Sequence, residues 1–209
     1  GAGVIFECRS VDSLVILSTE GRAFTVPVAV LPDGRGLGAP LASFVELGGG
    51  KLAHVLTGRP DEEFLFAKTS GYGFIATLGD LFSRQRAGKA FLTMEAGAAI
   101  LPPSPLGAGE RRADHVAALS EDGRLLIFPI DQMKKLSGGK GVQIIGLREG
   151  ETLRAAIAGR GAIVCVRGIF RNRPKEMLSE SKHIGQRARR GSPIGLITQA
   201  TITPLNEMG

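Results

Sequence analysis

The sequence has no tryptophan, one tyrosine and two cysteines among its 209 residues. Two cysteines cannot form a disulfide framework, and Cys8 and Cys165 both lie in apolar runs, so we expect buried, reduced thiols in a cytosolic protein. No apolar stretch reaches the length of about 18 residues that a transmembrane helix needs. The first residues include no Met and lack the features of a signal peptide, so we expect the chain to start inside a longer protein.

Catalytic constellations are also scarce. His54, His115 and His183 have no second ligand at metal-like spacing, so we interpret them as surface or strand residues. The Gly-rich stretch 34–39 departs from the dinucleotide fingerprint, and Lys140 is followed by Gly where a phosphate-binding P-loop needs Ser or Thr. The sequence therefore predicts no catalytic residue, no cofactor and no metal site in this chain.

Glycine, by contrast, is abundant in this sequence. The chain contains 30 Gly and 11 Pro, while its 43% hydrophobic and 22% charged residues are ordinary for a folded soluble protein. A chain so rich in turn formers is expected to consist of many short elements rather than long helices.

Positive charge is concentrated in one segment. The formal net charge is +6, from 26 Lys and Arg against 20 Asp and Glu. Residues 159–191 hold nine basic and two acidic residues, so this segment is +7 and the rest of the chain is −1. Such a local basic patch indicates a polyanionic partner, and the alternative interpretation is a solvated basic face.

A repeat runs along the chain. An apolar β-rich run, a polar turn and a second β-rich run occur four times, aligned on Gly21, Gly71, Gly123 and Gly168. The steps are 50, 52 and 45 residues, and six positions after each Gly stand Pro27, Thr77, Pro129 and Pro174. The pattern predicts one hairpin per unit, followed by at most one helical turn, as at 131–134 or 175–178.

Each hairpin is followed by a Gly-rich basic element and further apolar strands. About four strands in each 45- to 52-residue unit is the size of one propeller blade. We therefore predict a single all-β domain, a propeller-like array of four-stranded blades, with repeats at about 4–50, 51–101, 102–150 and 151–204. Leftover strands at 4–9 and 199–204 could close the ring, pair with each other or belong to a fifth, partial blade, and the ring could also be open. Residues 102–109 are predicted to be an exposed inter-blade loop.

Lys or Arg beside Gly recurs at the same place in every unit, and equivalent positions of an array lie around one rim. Gly would let the backbone approach a phosphate, so the rim is predicted to bind and bend DNA without sequence preference. The alternative is that these elements are solvated turns.

The predicted phosphate contacts are Arg84, Arg86, Lys89, Lys134, Lys135, Lys140, Arg171, Arg173, Lys175, Arg187, Arg189 and Arg190, followed by Arg22, Arg35 and Arg124. Because Arg189 and Arg190 lie in a predicted exposed loop, their reversal to Glu is expected to weaken binding without unfolding the domain.

Residues 70–74 with 84–90, residues 123–129 with 138–141, and residues 187–191 resemble the C-terminal domain of ParC, the A subunit of topoisomerase IV. The resemblance spans nearly the whole chain and implies a β-pinwheel, in which neighbouring blades exchange strands. It implies a non-catalytic domain that binds and bends double-stranded DNA and helps select the segment passed in decatenation and supercoil relaxation. Its implied partners are the N-terminal breakage-reunion domain and the B subunit of topoisomerase IV, in the bacterial cytoplasm at the nucleoid.

The resemblance also implies that the cleaving tyrosine, ATP and Mg belong to other parts of a type IIA topoisomerase. Tyr72, which occupies the turn position that Arg22 and Arg124 hold in sister units, is therefore interpreted as structural. Two alternatives stay open. One is a gyrase-A-type wrapping domain, whose Gln-Arg-Arg-Gly-Gly-Lys-Gly box is only approached by residues 85–90. The other is a protein-interaction propeller without affinity for DNA.

Overall fold

The computed structural model describes residues 13–27 and 49–207, and the regular elements in these ranges are β-strands and short 3-10 turns. No helix within them is long and apolar enough to cross a membrane. The strands are β1 (Ser13–Ser18), β2 (Arg22–Pro27), β3 (Leu52–Leu56), β4 (Glu63–Ala67), β5 (Tyr72–Thr77), β6 (Lys89–Ala90), β7 (Ser104–Pro105), β8 (His115–Ser120), β9 (Arg124–Pro129), β10 (Val142–Gln143), β11 (Leu153–Gly159), β12 (Val164–Phe170), β13 (Arg173–Leu178), β14 (Ser192–Pro193) and β15 (Thr198–Pro204). The turns are Leu78–Leu81, Gly109–Arg111, Ile130–Gln132, Ser181–His183 and Leu205–Glu207.

The strands form four antiparallel sheets, which we number as blades 1 to 4. Their strand orders are β3-β1-β2-β6, β10-β5-β4-β7, β11-β8-β9-β14 and β13-β12-β15. Each sheet is built on one hairpin: β1–β2, β4–β5, β8–β9 and β12–β13. The all-β array of blades predicted from the sequence is therefore confirmed.

The hairpin strands of blades 2 and 3 are apolar on both faces because each of these two blades is covered by a neighbour on either side. In β4, Phe66 packs in a cluster with Val15 and Leu17 of blade 1, while Leu65 packs in a second cluster with Val116 and Ala118 of blade 3. A third cluster joins blades 3 and 4. Successive strand residues point to opposite faces, so these alternating contacts hold the array together through three inter-blade cores.

Neighbouring units exchange strands. β6 follows the second hairpin in sequence but pairs with β2 of blade 1, and β10 and β14 pair in the same way with β5 and β9 of the preceding blades. A blade is therefore completed by the next unit and is not a contiguous stretch of sequence. Within the described residues, the equivalent edge of blade 4, at β13, carries no such strand.

The predicted register of the fourth repeat is wrong. Gly168 lies inside β12 and pairs with Lys175, so residues 175–178 are strand and not a helical turn. The hairpin turn is formed by Arg171 and Asn172, with φ of 50° and 63°. Two consecutive left-handed residues make a tight hairpin turn, and Asn tolerates this conformation, so no turn glycine is present to mark the position.

Other expectations also need correction. Residues 102–109 are not only a loop, because Ser104–Pro105 forms β7 at the edge of blade 2, where Pro's missing donor is tolerated. Residues 199–204 are not left over but belong to β15, the strand beside β12 in blade 4. His183 is fully buried rather than a surface or strand residue. Burial of this polar ring is tolerated because its Nε2 lies 3.1 Å from the Pro193 carbonyl oxygen, within hydrogen-bond distance.

Some predictions concern residues outside the described ranges. These are the strand at 4–9, Cys8, and the basic element around Arg35. Cys165 lies inside the described ranges and is buried as expected. Burial raises the pKa of its thiol.

Candidate nucleic-acid interface

Three Gly-containing basic loops lie between a hairpin and the short strand donated to the preceding blade. We name them loop 2 (84–89), loop 3 (134–141) and loop 4 (187–191), after the unit that supplies them, and together they form the basic rim. Each contains a glycine with a left-handed φ just before or at the donated strand: Gly88, Gly141 and Gly191, at 70°, 85° and 72°.

Backbone hydrogen bonds connect these loops in series. The Gly139 N–H of loop 3 donates to the Phe91 carbonyl just after loop 2, at 2.8 Å, and the Thr93 N–H donates back to Gly139, at 3.0 Å. In the same way, the Gly146 N–H donates to the Arg189 carbonyl of loop 4, at 2.8 Å. Backbone hydrogen bonds therefore link the three loops in series through the segments that follow loops 2 and 3.

The repeated glycines serve this packing. A Cβ at Gly141 would overlap the Gly73 carbonyl oxygen of blade 2, and one at Gly191 would lie 2.5 Å from the Leu125 carbonyl oxygen of blade 3. The backbone here approaches the preceding blade. At these two positions the glycine is required by contact between units.

Two of the predicted phosphate contacts, Arg22 and Arg124, hold the loops through hydrogen bonds. Arg22 Nη2 donates to the carbonyls of Ala87 and Gly88 in loop 2, at 2.8 and 3.1 Å, and Arg124 Nη1 donates to Gly191 in loop 4, at 3.0 Å. Both begin the second hairpin strand. Their guanidinium groups are therefore engaged as clamps on a donated loop.

Tyr72 occupies the same position in blade 2 and clamps loop 3 by different chemistry. The Lys140 ammonium nitrogen lies 4.4 Å from the centre of the Tyr72 ring, a cation–π distance. Lys140 is exposed and forms no ion pair with a carboxylate in the described residues. The ring therefore positions this lysine without neutralising it.

Arg187 and Arg190 also act inside the protein. Arg190 Nη1 donates to Glu151 Oε2 at 2.9 Å, and Arg187 Nη1 donates to the Gln143 carbonyl at 2.8 Å. The Glu151 side chain is 2% exposed. Burial opposes ionisation of Glu151, but hydrogen bonds from the Arg148 N–H and from Arg190 outweigh it and lower its pKa. The expectation that Arg190 lies in a freely exposed loop is therefore wrong.

Lys135 is paired as well. Its Nζ lies 3.3 Å from Glu63 Oε2, and Arg112 Nε lies 3.1 Å from Glu63 Oε1. Hydrogen bonds from Arg112, and then from Lys135, outweigh burial and lower the pKa of Glu63. The charge that Lys135 could offer a phosphate is thus partly compensated.

The remaining predicted contacts form no ion pair with any carboxylate in residues 13–27 and 49–207. Lys89 is half-buried and the others are exposed: Arg84, Arg86, Lys134, Lys140, Arg171, Arg173, Lys175 and Arg189. Arg35 lies outside these ranges. Among the predicted contacts, the unpaired positive charge is therefore carried by the basic rim and the hairpin of blade 4.

The clamp arrangement and the buried carboxylate Glu151 were missed by sequence reasoning. The signal for the clamps was the shared position of Arg22, Tyr72 and Arg124. No comparable pattern marks Glu151. In the part of the chain that the structure describes, no three His, Cys, Asp or Glu side chains are grouped to hold a metal ion.

Comparison with known proteins shows consistent similarities. Residues 114–159 match the family model described as DNA gyrase C-terminal domain, beta-propeller. The A subunit of DNA topoisomerase 4 is 40% identical over 136 residues in Neisseria gonorrhoeae and 32% identical over 195 residues in Salmonella typhimurium. These matches cover 64% and 88% of this chain, but only 18% and 25% of the relatives' length.

A solved structure resembles the fold. The structure of the E. coli ParC C-terminal domain superposes with a TM-score of 0.79 and 27% sequence identity. The superposition covers 92% of this chain and 80% of that domain. The strand order and the similarity of sequence therefore lead to the same group of domains.

Proposed function

Because this chain belongs to the family of C-terminal domains found in the A subunits of topoisomerase IV and gyrase, we propose that it binds double-stranded DNA along its basic rim and bends it. The observation that carries the proposal is the serial connection of loops 2, 3 and 4 by backbone hydrogen bonds. We infer that their unpaired basic side chains lie along one surface. A surface of this kind contacts successive phosphates rather than base edges, so binding would be independent of sequence.

Bending follows from the shape of the array. The loops follow one another from blade to blade of a propeller-like assembly, so a duplex that contacts all three must curve. Smooth bending of a 20–30 bp site costs roughly 1–6 kcal/mol, which phosphate contacts can offset. The stretch 85–90 lacks the intact gyrase box, which supports limited bending over full wrapping.

The wider role is also a proposal. The domain would act beside the breakage-reunion domain of the same polypeptide and with the B subunit of the enzyme, in the bacterial cytoplasm. It would help to select the DNA segment that is passed in decatenation and relaxation. ATP and Mg chemistry would belong to other parts of that enzyme, with this chain supplying DNA geometry.

Fluorescence anisotropy of a labelled duplex, titrated with this chain across a range of salt concentrations, tests the binding. Each neutralised phosphate contributes about 0.9 to the log–log slope, so a slope of several units is expected. Arg189→Glu should weaken binding, whereas Arg59→Glu, an exposed site paired with Asp61 at the start of the β4 unit, should not. Absence of binding at low salt would overturn the proposal and would favour a docking surface for a protein partner.

A topology experiment separates bending from wrapping. A nicked plasmid is religated on the bound chain and its linking-number distribution is compared with that of free plasmid. Bending alone introduces little chiral writhe, so we expect the linking-number distribution to stay close to that of free plasmid. A large chiral shift would favour the gyrase-type alternative.

A further inference from the structure

One position in the repeat has two different surroundings. The second strand of each hairpin begins with Arg22, Tyr72, Arg124 or Arg173. In blades 1 to 3 this residue contacts the loop donated by the next unit. In blade 4, no loop among the described residues lies on β13, and Arg173 is exposed.

The net charge of the four hairpins differs in the same way. Counted from the first strand residue to the last, hairpins 1 and 2 are neutral and hairpin 3 is −1, with His taken as neutral. Hairpin 4 is +3, because it has four basic residues and one acidic residue. The turns show the contrast directly, since blade 3 has Glu121–Asp122 where blade 4 has Arg171–Asn172.

The charges of hairpin 4 are sorted between its two faces. Arg167 and Glu176 are a cross-strand pair whose side chains meet at 3.0 Å. Arg173 and Lys175, two residues apart, lie on the opposite face, across from Phe170 and Gly168. Neither forms an ion pair among the described residues, and Gly168 contributes no side chain that could cover Lys175.

This unpaired face lies on the side of hairpin 4 that packs against blade 3. Val166 and Met177 share it with Arg173 and Lys175 by strand alternation, and both pack in the core between blades 3 and 4. Blade 3 is the blade that loop 4 completes through β14. The face therefore continues from the basic rim.

We propose that hairpin β12–β13 is the principal anchor for duplex DNA, with Arg171, Arg173 and Lys175 as phosphate contacts. The inference rests on the proposed DNA-binding function and deepens it, because it makes the footprint asymmetric. The same repeat position is a loop clamp in blades 1 to 3 and a phosphate contact in blade 4. A duplex is held first at blade 4 and then extends along loops 4, 3 and 2.

No strand among the described residues pairs with this edge of β13, and charge complementarity selects DNA as its occupant. An unpaired strand can also accept a strand from a second copy of the chain. β13, however, carries Arg173, Pro174 and Lys175, and charges and Pro on an edge disfavour such pairing. A phosphate backbone needs only these side chains and no ladder of backbone hydrogen bonds.

Two matched triple variants of this chain test the proposal, each removing three positive charges. Arg171→Gln/Arg173→Gln/Lys175→Gln should reduce duplex affinity at least tenfold and lower the salt slope by between two and three units, at about 0.9 for each contact. Arg84→Gln/Arg86→Gln/Lys89→Gln should also reduce affinity, but by a smaller factor than the hairpin-4 triple variant. Arg167→Gln/Glu176→Gln, on the other face of the same hairpin, is the neutral control and should change neither quantity.

Equal losses in the two triple variants, or a larger loss from loop 2, would overturn the anchor while leaving DNA binding intact. Failure of the unaltered chain to bind DNA would instead overturn the proposed function itself. Thermal unfolding of each variant checks that the fold is retained. Sedimentation measures association, and a hairpin-4 variant that alters association but not DNA affinity would also overturn the anchor, in favour of contact between copies.

Discussion

Arg190 and Glu151 form an ion pair across 39 residues of sequence, with Nη1 and Oε2 2.9 Å apart. The pair joins loop 4 to the segment that leads into β11. The glutamate is almost fully buried, whereas the arginine side chain is 31% exposed. The basic loop is therefore held to the body of the protein by one of its own positive charges, and that charge is not available to a phosphate.

Removing Arg190 should destabilise the fold. Arg190→Ala would leave the Glu151 carboxylate buried without its cation, at a cost of about 2 kcal/mol in the free energy of unfolding. Urea denaturation measures this loss. Arg189→Ala, one residue away but exposed, should leave the unfolding midpoint unchanged, and equal destabilisation by both variants would contradict this account.

The clamp position should separate stability from binding. Arg124→Gln would remove the hydrogen bond to the Gly191 carbonyl and lower the unfolding free energy by about 1 kcal/mol. Arg173→Gln, at the equivalent position of blade 4, should leave it unchanged. Thermal melts of the two variants under the same conditions make the comparison. A loss of stability in Arg173→Gln would show that this residue is also a clamp.

Gly141 should be the less replaceable of two glycines with nearly the same φ. Gly141 and Gly195 have φ of 85° and 86°, so replacement by Ala places a Cβ on a left-handed backbone at both positions. Only at Gly141 would the new Cβ overlap another atom, the Gly73 carbonyl oxygen, while nothing lies within 4 Å at Gly195. We expect Gly141→Ala to cost at least about 2 kcal/mol more than Gly195→Ala in urea unfolding. Similar costs would mean that β10 can shift without loss.

The fold was largely predictable because its units repeat. Hairpins 1 to 3 each carry a turn glycine between apolar runs, so their positions could be found by alignment. The fourth could not, because the Arg171–Asn172 turn lacks glycine and Gly168 inside β12 gave a false match. A local sequence pattern therefore locates a hairpin turn only where glycine forms that turn.

The division of the basic residues between binding and structure was not predictable. Arg22 contacts Ala87 across 65 residues, and Arg124 contacts Gly191 across 67. These contacts depend on the exchange of strands between units, which places a loop on the blade before its own. The sequence shows where arginines recur, but only the three-dimensional arrangement shows which carbonyl or carboxylate each one meets.

Acid should destabilise the domain through Glu63, which joins β4 to Arg112 and Lys135. Hydrogen bonds from these residues lower its pKa below the ordinary value of 4.5. The folded state then binds a proton less readily than the unfolded state. The stabilisation is fully present above the unfolded pKa and is lost as pH falls through the lower pKa of the folded state.

Glu63→Gln should therefore flatten the dependence of unfolding free energy on pH below about 4.5, while lowering stability at neutral pH, where the ion pairs are otherwise intact. Glu62→Gln is the matched control: Glu62 is adjacent and exposed, and it forms no ion pair within residues 13–27 and 49–207. Urea titrations at several pH values between 3 and 7 give the two curves. The control should follow the unaltered protein throughout. The Glu63→Gln curve should lie below that of the unaltered protein at neutral pH and meet it in acid; if it instead keeps the same slope below about pH 4.5, the contacts of Glu63 with Arg112 and Lys135 contribute nothing to acid stability.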